Sequence, residues 1–309
     1  MQQAEPDSFS APPKSPWPVL AVIGANVALA SGPLFVRLAD TGPVASAFWR
    51  IALAVPVLFA ASVLLRERPV AAARGLWSIL VVAGIAFAAD LAAWHIGIVR
   101  TTLANATLFG NSASFIYPLY GFLIARAWPT RTQGWALALA GIGAALLLGR
   151  SAELSPRNLA GDLFCLLAGV LYAIYFILMA RVRVRMQPFA ALAVSSAATA
   201  LPLLAFAAAL GEAILPGNWT PLLLLALCSQ VIGQGLMIYA LGHLSPLVLG
   251  LALLLQPAVA AAIGWAMFGE RLAALDVAGA VLVAIALVLV RRAPARPAIV
   301  ARAAQSPRS

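Results

Sequence analysis

The chain has 309 residues, 63% of them hydrophobic and only 10% charged, and its mean hydropathy is +0.97. Soluble domains run at roughly half apolar and a quarter charged residues, so a water-soluble globule is excluded. The formal net charge of +10 does not point to nucleic acid, because the bases stand singly or in short clusters between apolar stretches instead of lining one polar face.

The first sixteen residues, MQQAEPDSFSAPPKSP, are polar and proline-rich. They read as a disordered cytoplasmic tail without the pattern of a cleavable signal peptide, so insertion is expected through the first helix itself. After them come apolar stretches of bilayer length, about 20 residues each. Strand alternation is absent, and only helices or closed barrels satisfy backbone groups in lipid, so the stretches read as helices. The breaks place spans near 17–36, 44–65, 77–99, 102–125, 133–149, 159–180, 188–210, 219–241, 246–268 and 274–290. The fold class is therefore all-α integral membrane, with ten transmembrane helices. The segments are a tail at 1–16, a five-helix unit at 17–149, a connecting loop at 150–158, a second five-helix unit at 159–292 and a basic tail at 293–309.

Polar groups at membrane depth are costly unless they meet protein or water, which makes each a candidate for function. In the third span Asp90 reads as the only acid well inside a helix, with Trp94 one turn on and His95 beside it. It is the candidate for proton coupling; the alternative is a structural carboxyl, neutral or paired with Arg50 of the second span. The fourth span carries Thr107, Asn111, Ser114 and Pro118 at spacings that share one helical face, with Tyr117 and Tyr120 beside the proline. Such a face lines a wet cavity or makes interhelical hydrogen bonds. In the fifth, Gly134, Ala138, Gly141 and Ala145 form a small-residue stripe suited to close packing within the chain.

In the sixth span Tyr172, Phe176 and Met179 form a stripe with Tyr175 nearby, fitting an apolar substrate portion, a core or a lipid face. Gln230, Gln234 and Met237 share a face of the eighth, where Tyr239 also counts as a cavity residue, and Gln256 precedes Pro257 in the ninth. Amides suit a zwitterion, and Pro118 and Pro257 each free a carbonyl one turn earlier, an acceptor for an ammonium group. Cys165 and Cys228 lie in apolar stretches, His95 and His243 near span ends. No metal and no cofactor are expected, and no hydrolase, zinc or phosphate motif argues for an enzyme.

With the N-terminus inside, fourteen bases fall on the cytoplasmic side and five on the other, which places both termini in the cytoplasm. Trp17, Trp77, Trp128, Trp135, Trp219 and Trp265 sit near span ends as interfacial anchors. The chain also repeats itself. Arg37 matches Arg181, Pro43 and Pro56 match Pro188 and Pro202, and TTLANA at 101–106 matches LSPLVL at 244–249. Five spans per half means that the second half enters from the opposite side, giving two inverted five-helix repeats.

The segment LLLQPAVAAAIGWAMFGERLAALDVAGAVLVAIALVLV, at 253–290, combines a proline in the ninth span, Gly-Glu-Arg at its end and a small-residue-rich last span. It resembles the drug/metabolite transporter superfamily, EamA type, and within it the YddG-like amino-acid exporters. The first half keeps this plan at 116–149, with Ala127 where Glu270 stands in the second. The resemblance implies a central cavity lined by helices 1–4 and 6–9. It also implies an inner-membrane exporter of amino acids, aromatic or other neutral ones, and related metabolites by alternating access. Channel-like facilitation and export of drugs or sugars are the rival readings. The expected partners are a small-molecule substrate and the bilayer, with no nucleic acid, in a monomer or weak homodimer.

Overall fold

The computed structural model describes residues 16–114, 116, 155–244, 249–250, 252–253 and 255–270, with scattered positions at 130–146 and 274–289. The described helices are α1 (Trp17–Ala30), α2 (Gly32–Leu38), α3 (Pro43–Leu64), α4 (Pro69–Ala72), α5 (Trp77–Ile98), α6 (Leu103–Gly110), α7 (Pro156–Arg183), α8 (Pro188–Ala209), α9 (Thr220–Leu224), α10 (Gly235–Leu241) and α11 (Leu255–Phe268). A π-helix, Leu225–Gln234, joins α9 to α10. Six helical segments among the described residues are long and apolar enough to cross a bilayer. Most of the fifth and tenth spans, the turn at 245–248, Tyr117, Pro118, Tyr120 and Trp128 lie outside them, as does the count of ten.

Proline starts most of these helices. Pro43, Pro156 and Pro188 occupy first helical positions, where the missing N–H has no intrahelical partner to lose. Ser155 caps α7 by accepting the Asn158 N–H at 3.1 Å. Consequently α7 begins inside the expected 150–158 loop and continues to Arg183, a 28-residue helix. This also corrects the reading of Asp90 as the only acid deep in a helix. Asp162 sits in the second turn of α7, fully buried, and accepts hydrogen bonds from Thr101 at 2.5 Å and Asn105 at 3.2 Å. The first span is likewise two helices, α1 and α2, which meet at Ser31 ahead of the Gly32-Pro33 pair.

The halves interleave helix by helix. The third span (α5) packs most extensively on the sixth (α7), the second (α3) on the seventh (α8), the first (α1) on the eighth (π-helix and α10) and the fourth (α6) on the ninth (α11). Exchanging the halves maps this set of pairs onto itself, as a two-fold axis requires. At the α5–α7 crossing the backbones nearly touch, and a Cβ on Gly97 would stand 2.8 Å from the Gly161 carbonyl oxygen.

Three helix ends share one device. Arg66, Gly211 and Gly269, which follow α3, α8 and α11, all have positive φ, and a glutamate follows each. The left-handed residue turns the chain back, and the glutamate then caps a helix of the other half. Glu67 accepts the Ala190 N–H at 2.5 Å, Glu212 the Ala45 N–H at 2.7 Å and Glu270 the Leu103 N–H at 2.9 Å. Glu67 and Glu212 are mates. The end of α3 holds the start of α8 and the end of α8 holds the start of α3, so the two helices run antiparallel. Burial pushes the Glu67 carboxyl above the usual carboxylate range, against the pull of the Ala190 N–H and Arg183. Replacing either mate with alanine should cost about 1 kcal/mol, the usual value of a side-chain cap. The two losses should add, since they act at opposite ends; thermal unfolding in detergent checks both.

The outer surface is apolar. Leu20, Ile23, Val57, Val81 and Leu201 are exposed, as are Trp17, Trp77, Trp135, Trp219 and Trp265 near helix ends, which suits an acyl-chain and headgroup environment. Of the small-residue stripe in the fifth span, only the first two members are among the described residues. Gly134 and Ala138 are exposed, with nothing within 4 Å of a Cβ built on Gly134, and Gly141 and Ala145 lie outside the described residues.

Candidate functional site

Where the interleaved helices converge, a small cavity of about 40 Å³ lies inside the bundle. It has room for a few water molecules, whereas pockets for drug-sized ligands hold about 300–1,000 Å³, so this conformation is collapsed around its polar groups. The described lining comes from both halves: Leu29 of α1, Arg50 of α3, Phe87, Asp90, Leu91 and Trp94 of α5, Thr107 and Gly110 of α6 with Asn111 just after it, Tyr172 of α7, Gln234 of the π-helix and Gln256 of α11.

Of the residues singled out from sequence, the structure brings together Asp90, Trp94, Thr107, Asn111, Tyr172, Gln234 and Gln256. Thr107 returns its hydroxyl to the carbonyls of Leu103 and Ala104, at 2.9 and 3.0 Å, so it offers the cavity lone pairs. Asn111 donates to the Leu253 carbonyl at 3.2 Å and Gln256 to Asn26 at 2.7 Å, joining the halves across the site. The helix ends at Gly110, well before Pro118. Trp94 fills the space beside Gly110, where a Cβ would meet its indole nitrogen at 2.8 Å, and donates to the Ala106 carbonyl at 3.3 Å.

Other expected residues stand elsewhere. His95 is fully buried at the end of α5, its Nδ1 2.9 Å from the Ser46 hydroxyl and 3.1 Å from the Pro43 carbonyl, and it holds α5 to the start of α3. Tyr239 stacks on His243, ring centroids 4.4 Å apart, near the end of α10. Tyr175 is fully buried against Phe87, centroids 4.4 Å apart, and the Tyr172 stripe is core and cavity wall instead of lipid face. Ser114 is buried away from the lining. Gln230, on the π-helix, is not among the lining residues and accepts a hydrogen bond from Arg50 behind them. Pro257 is helical in α11, and the placement of its side chain is outside the described set.

Arg50 is the residue whose importance sequence reasoning missed. It is 2% exposed, and its Nε donates to Gln230 at 3.2 Å; Gln230 in turn donates to Ser196 at 3.1 Å. Pairing with Asp90, the structural alternative for that carboxyl, is not made. Among the described residues the ion pair within 4.0 Å is Arg37–Glu270, and the Asp90 carboxylate accepts no hydrogen bond. The Arg50 guanidinium and the Asp90 carboxyl therefore line one buried cavity without an ion pair between them. The guanidinium lies 5.8 Å from the Trp94 ring centroid, so an aromatic face lends it partial compensation.

The Arg37–Glu270 pair stands at the end of the bundle where α3, α6 and α7 start. Arg37 Nη1 meets Glu270 at 2.5 Å, Nη2 donates to the Thr101 carbonyl at 2.5 Å and Nε to that of Ile98 at 3.3 Å. One ion pair thus joins the first span to the ninth, and Glu270 also caps the fourth. At the opposite end Arg183 does the related work, donating to the carbonyls of Ile238 at 3.1 Å and of Met186.

A model of the EamA-like transporter family matches this chain twice, over residues 16–149 and again over 159–292. Among solved structures, one protein known from a crystal structure is 14% identical with a TM-score of 0.68, the match covering 88% of this chain and 96% of that one. That likeness concerns the fold alone. No curated protein matches the chain. Two family matches over nearly its whole length, laid on two interleaved sets of apolar helices, place the chain in the EamA-like transporter family, multi-pass membrane proteins that move small molecules.

Proposed function

We propose that this transporter is an inner-membrane exporter of amino acids, aromatic and other neutral ones foremost, and related small metabolites, working by alternating access with both termini in the cytoplasm. The observation that carries the reading is that Arg50 and Asp90, a base and an acid, line one cavity between the repeats with no ion pair between them. A zwitterion presents both complementary charges at short range. Phe87, Trp94 and Tyr172 supply an apolar wall for its side chain, and the amides of Asn111, Gln234 and Gln256 supply donors and acceptors without net charge. This is the chemistry expected of a YddG-like exporter. In this reading Asp90 is the proton-coupling group, since a carboxylate free of hydrogen bonds can exchange a proton for a cationic group.

Counterflow in proteoliposomes tests it. Liposomes preloaded with unlabelled amino acid should accumulate the labelled compound, saturably, and other neutral amino acids should compete. Failure of every amino acid to compete would discard the substrate class. A non-saturating, voltage-driven conductance would favour a channel-like facilitator. Asp90→Asn should abolish any proton dependence while leaving exchange measurable.

A further inference from the structure

We propose that Arg50 and Gln234 form an anion subsite that anchors the substrate's carboxylate and makes a free carboxylate a requirement for recognition. The inference rests on reading this cavity as the substrate site. Its basis is the state of two buried donors. Arg50 spends Nε on Gln230, which Ser196 orients from behind, so the guanidinium plane is fixed from the protein side. Its Nη1 is buried and has no partner. Gln234, fully buried in the π-helix, accepts the Tyr172 hydroxyl on its Oε1 at 3.0 Å. Its Nε2 is likewise without a partner.

Buried donors are nearly always satisfied, and an orphan costs free energy. Here two orphan N–H groups, one from each half of the chain, belong to residues lining one cavity. Two donors, one of them cationic, match the two oxygens of a carboxylate and repel an ammonium. The charge inventory narrows the anion further. Among the described lining residues there is one guanidinium, Arg50, beside the acid Asp90, so a doubly charged phosphate or sulfate would meet one cation to offset it.

Thermal-shift titration of the purified full-length protein tests this with defined probes: leucine and phenylalanine, their amides, and 3-phenylpropanoate. The free amino acids should stabilise the wild type at concentrations about tenfold or more below their amides, as expected for losing a charge-assisted contact. Arg50→Gln should erase that ratio, and Arg50→Lys should retain part of it. Equal potency of acids and amides on the wild type, which needs no variant to fold, would overturn the subsite, as would a preference that survives in Arg50→Gln. If 3-phenylpropanoate binds in an Arg50-dependent way while neither amino acid does, the anion subsite stands and the amino-acid reading falls. No shift by any carboxylate overturns the subsite.

Discussion

Glu270→Ala is expected to lower stability by about 2–3 kcal/mol, measured by thermal or denaturant unfolding in detergent. Removing one partner of a fully buried ion pair costs about 3–5 kcal/mol. Here both side chains are 17% exposed, so part of that is screened. The substitution also removes the cap from Leu103 and leaves Arg37 with two carbonyls and the Phe268 ring, none of them an anion. Because the damage comes from stranding Arg37, the double change Arg37→Met with Glu270→Met should recover part of the loss. A single substitution as harmless as a surface change would show that the pair is incidental to the fold.

Gly97→Leu is expected to be more severe, preventing a folded, monodisperse protein. At this crossing even a Cβ meets the Gly161 carbonyl and Cys165, and backbone cannot move aside as a side-chain tip can. Overpacking a core costs about 1–3 kcal/mol. Forcing α5 from α7 also disturbs the Asp162–Thr101–Asn105 hydrogen bonds beside it, which puts the expected loss above about 4 kcal/mol. Gly134→Leu, facing open space, is the control and should leave size-exclusion behaviour unchanged.

Much of this architecture was legible in the amino acids. Span positions followed from apolar runs of bilayer length, and the repeat from landmarks such as Pro56 and Pro202, which lie inside α3 and α8. The cavity face of the fourth span was legible as far as Asn111 because α-helical spacing holds there. It did not extend to Ser114, which follows the end of the helix at Gly110, or to Gln230 in the π-helix, neither of which is among the lining residues. Such features are set by tertiary packing, which a periodicity rule does not contain.

Three signals were present and overlooked. Gly-Glu occurs at 211–212 as well as at 269–270, and each marks a helix end whose glutamate caps a helix of the other half. Arg50 was legible as a charge inside a span but was read only as a partner for Asp90. Arg37 reads in the sequence only as a landmark of the repeat, because its mate lies 233 positions away.

The proposed alternating access requires the two repeats to move against each other around the shared cavity, and the Arg37–Glu270 contact joins the first span to the ninth. In a variant lacking Cys165 and Cys228, Arg37→Cys and Glu270→Cys can be joined by a short, reducible bifunctional thiol reagent in proteoliposomes. Alternating access predicts that counterflow is lost in proportion to the cross-linked fraction and returns on reduction. Full transport by completely cross-linked protein would contradict the account.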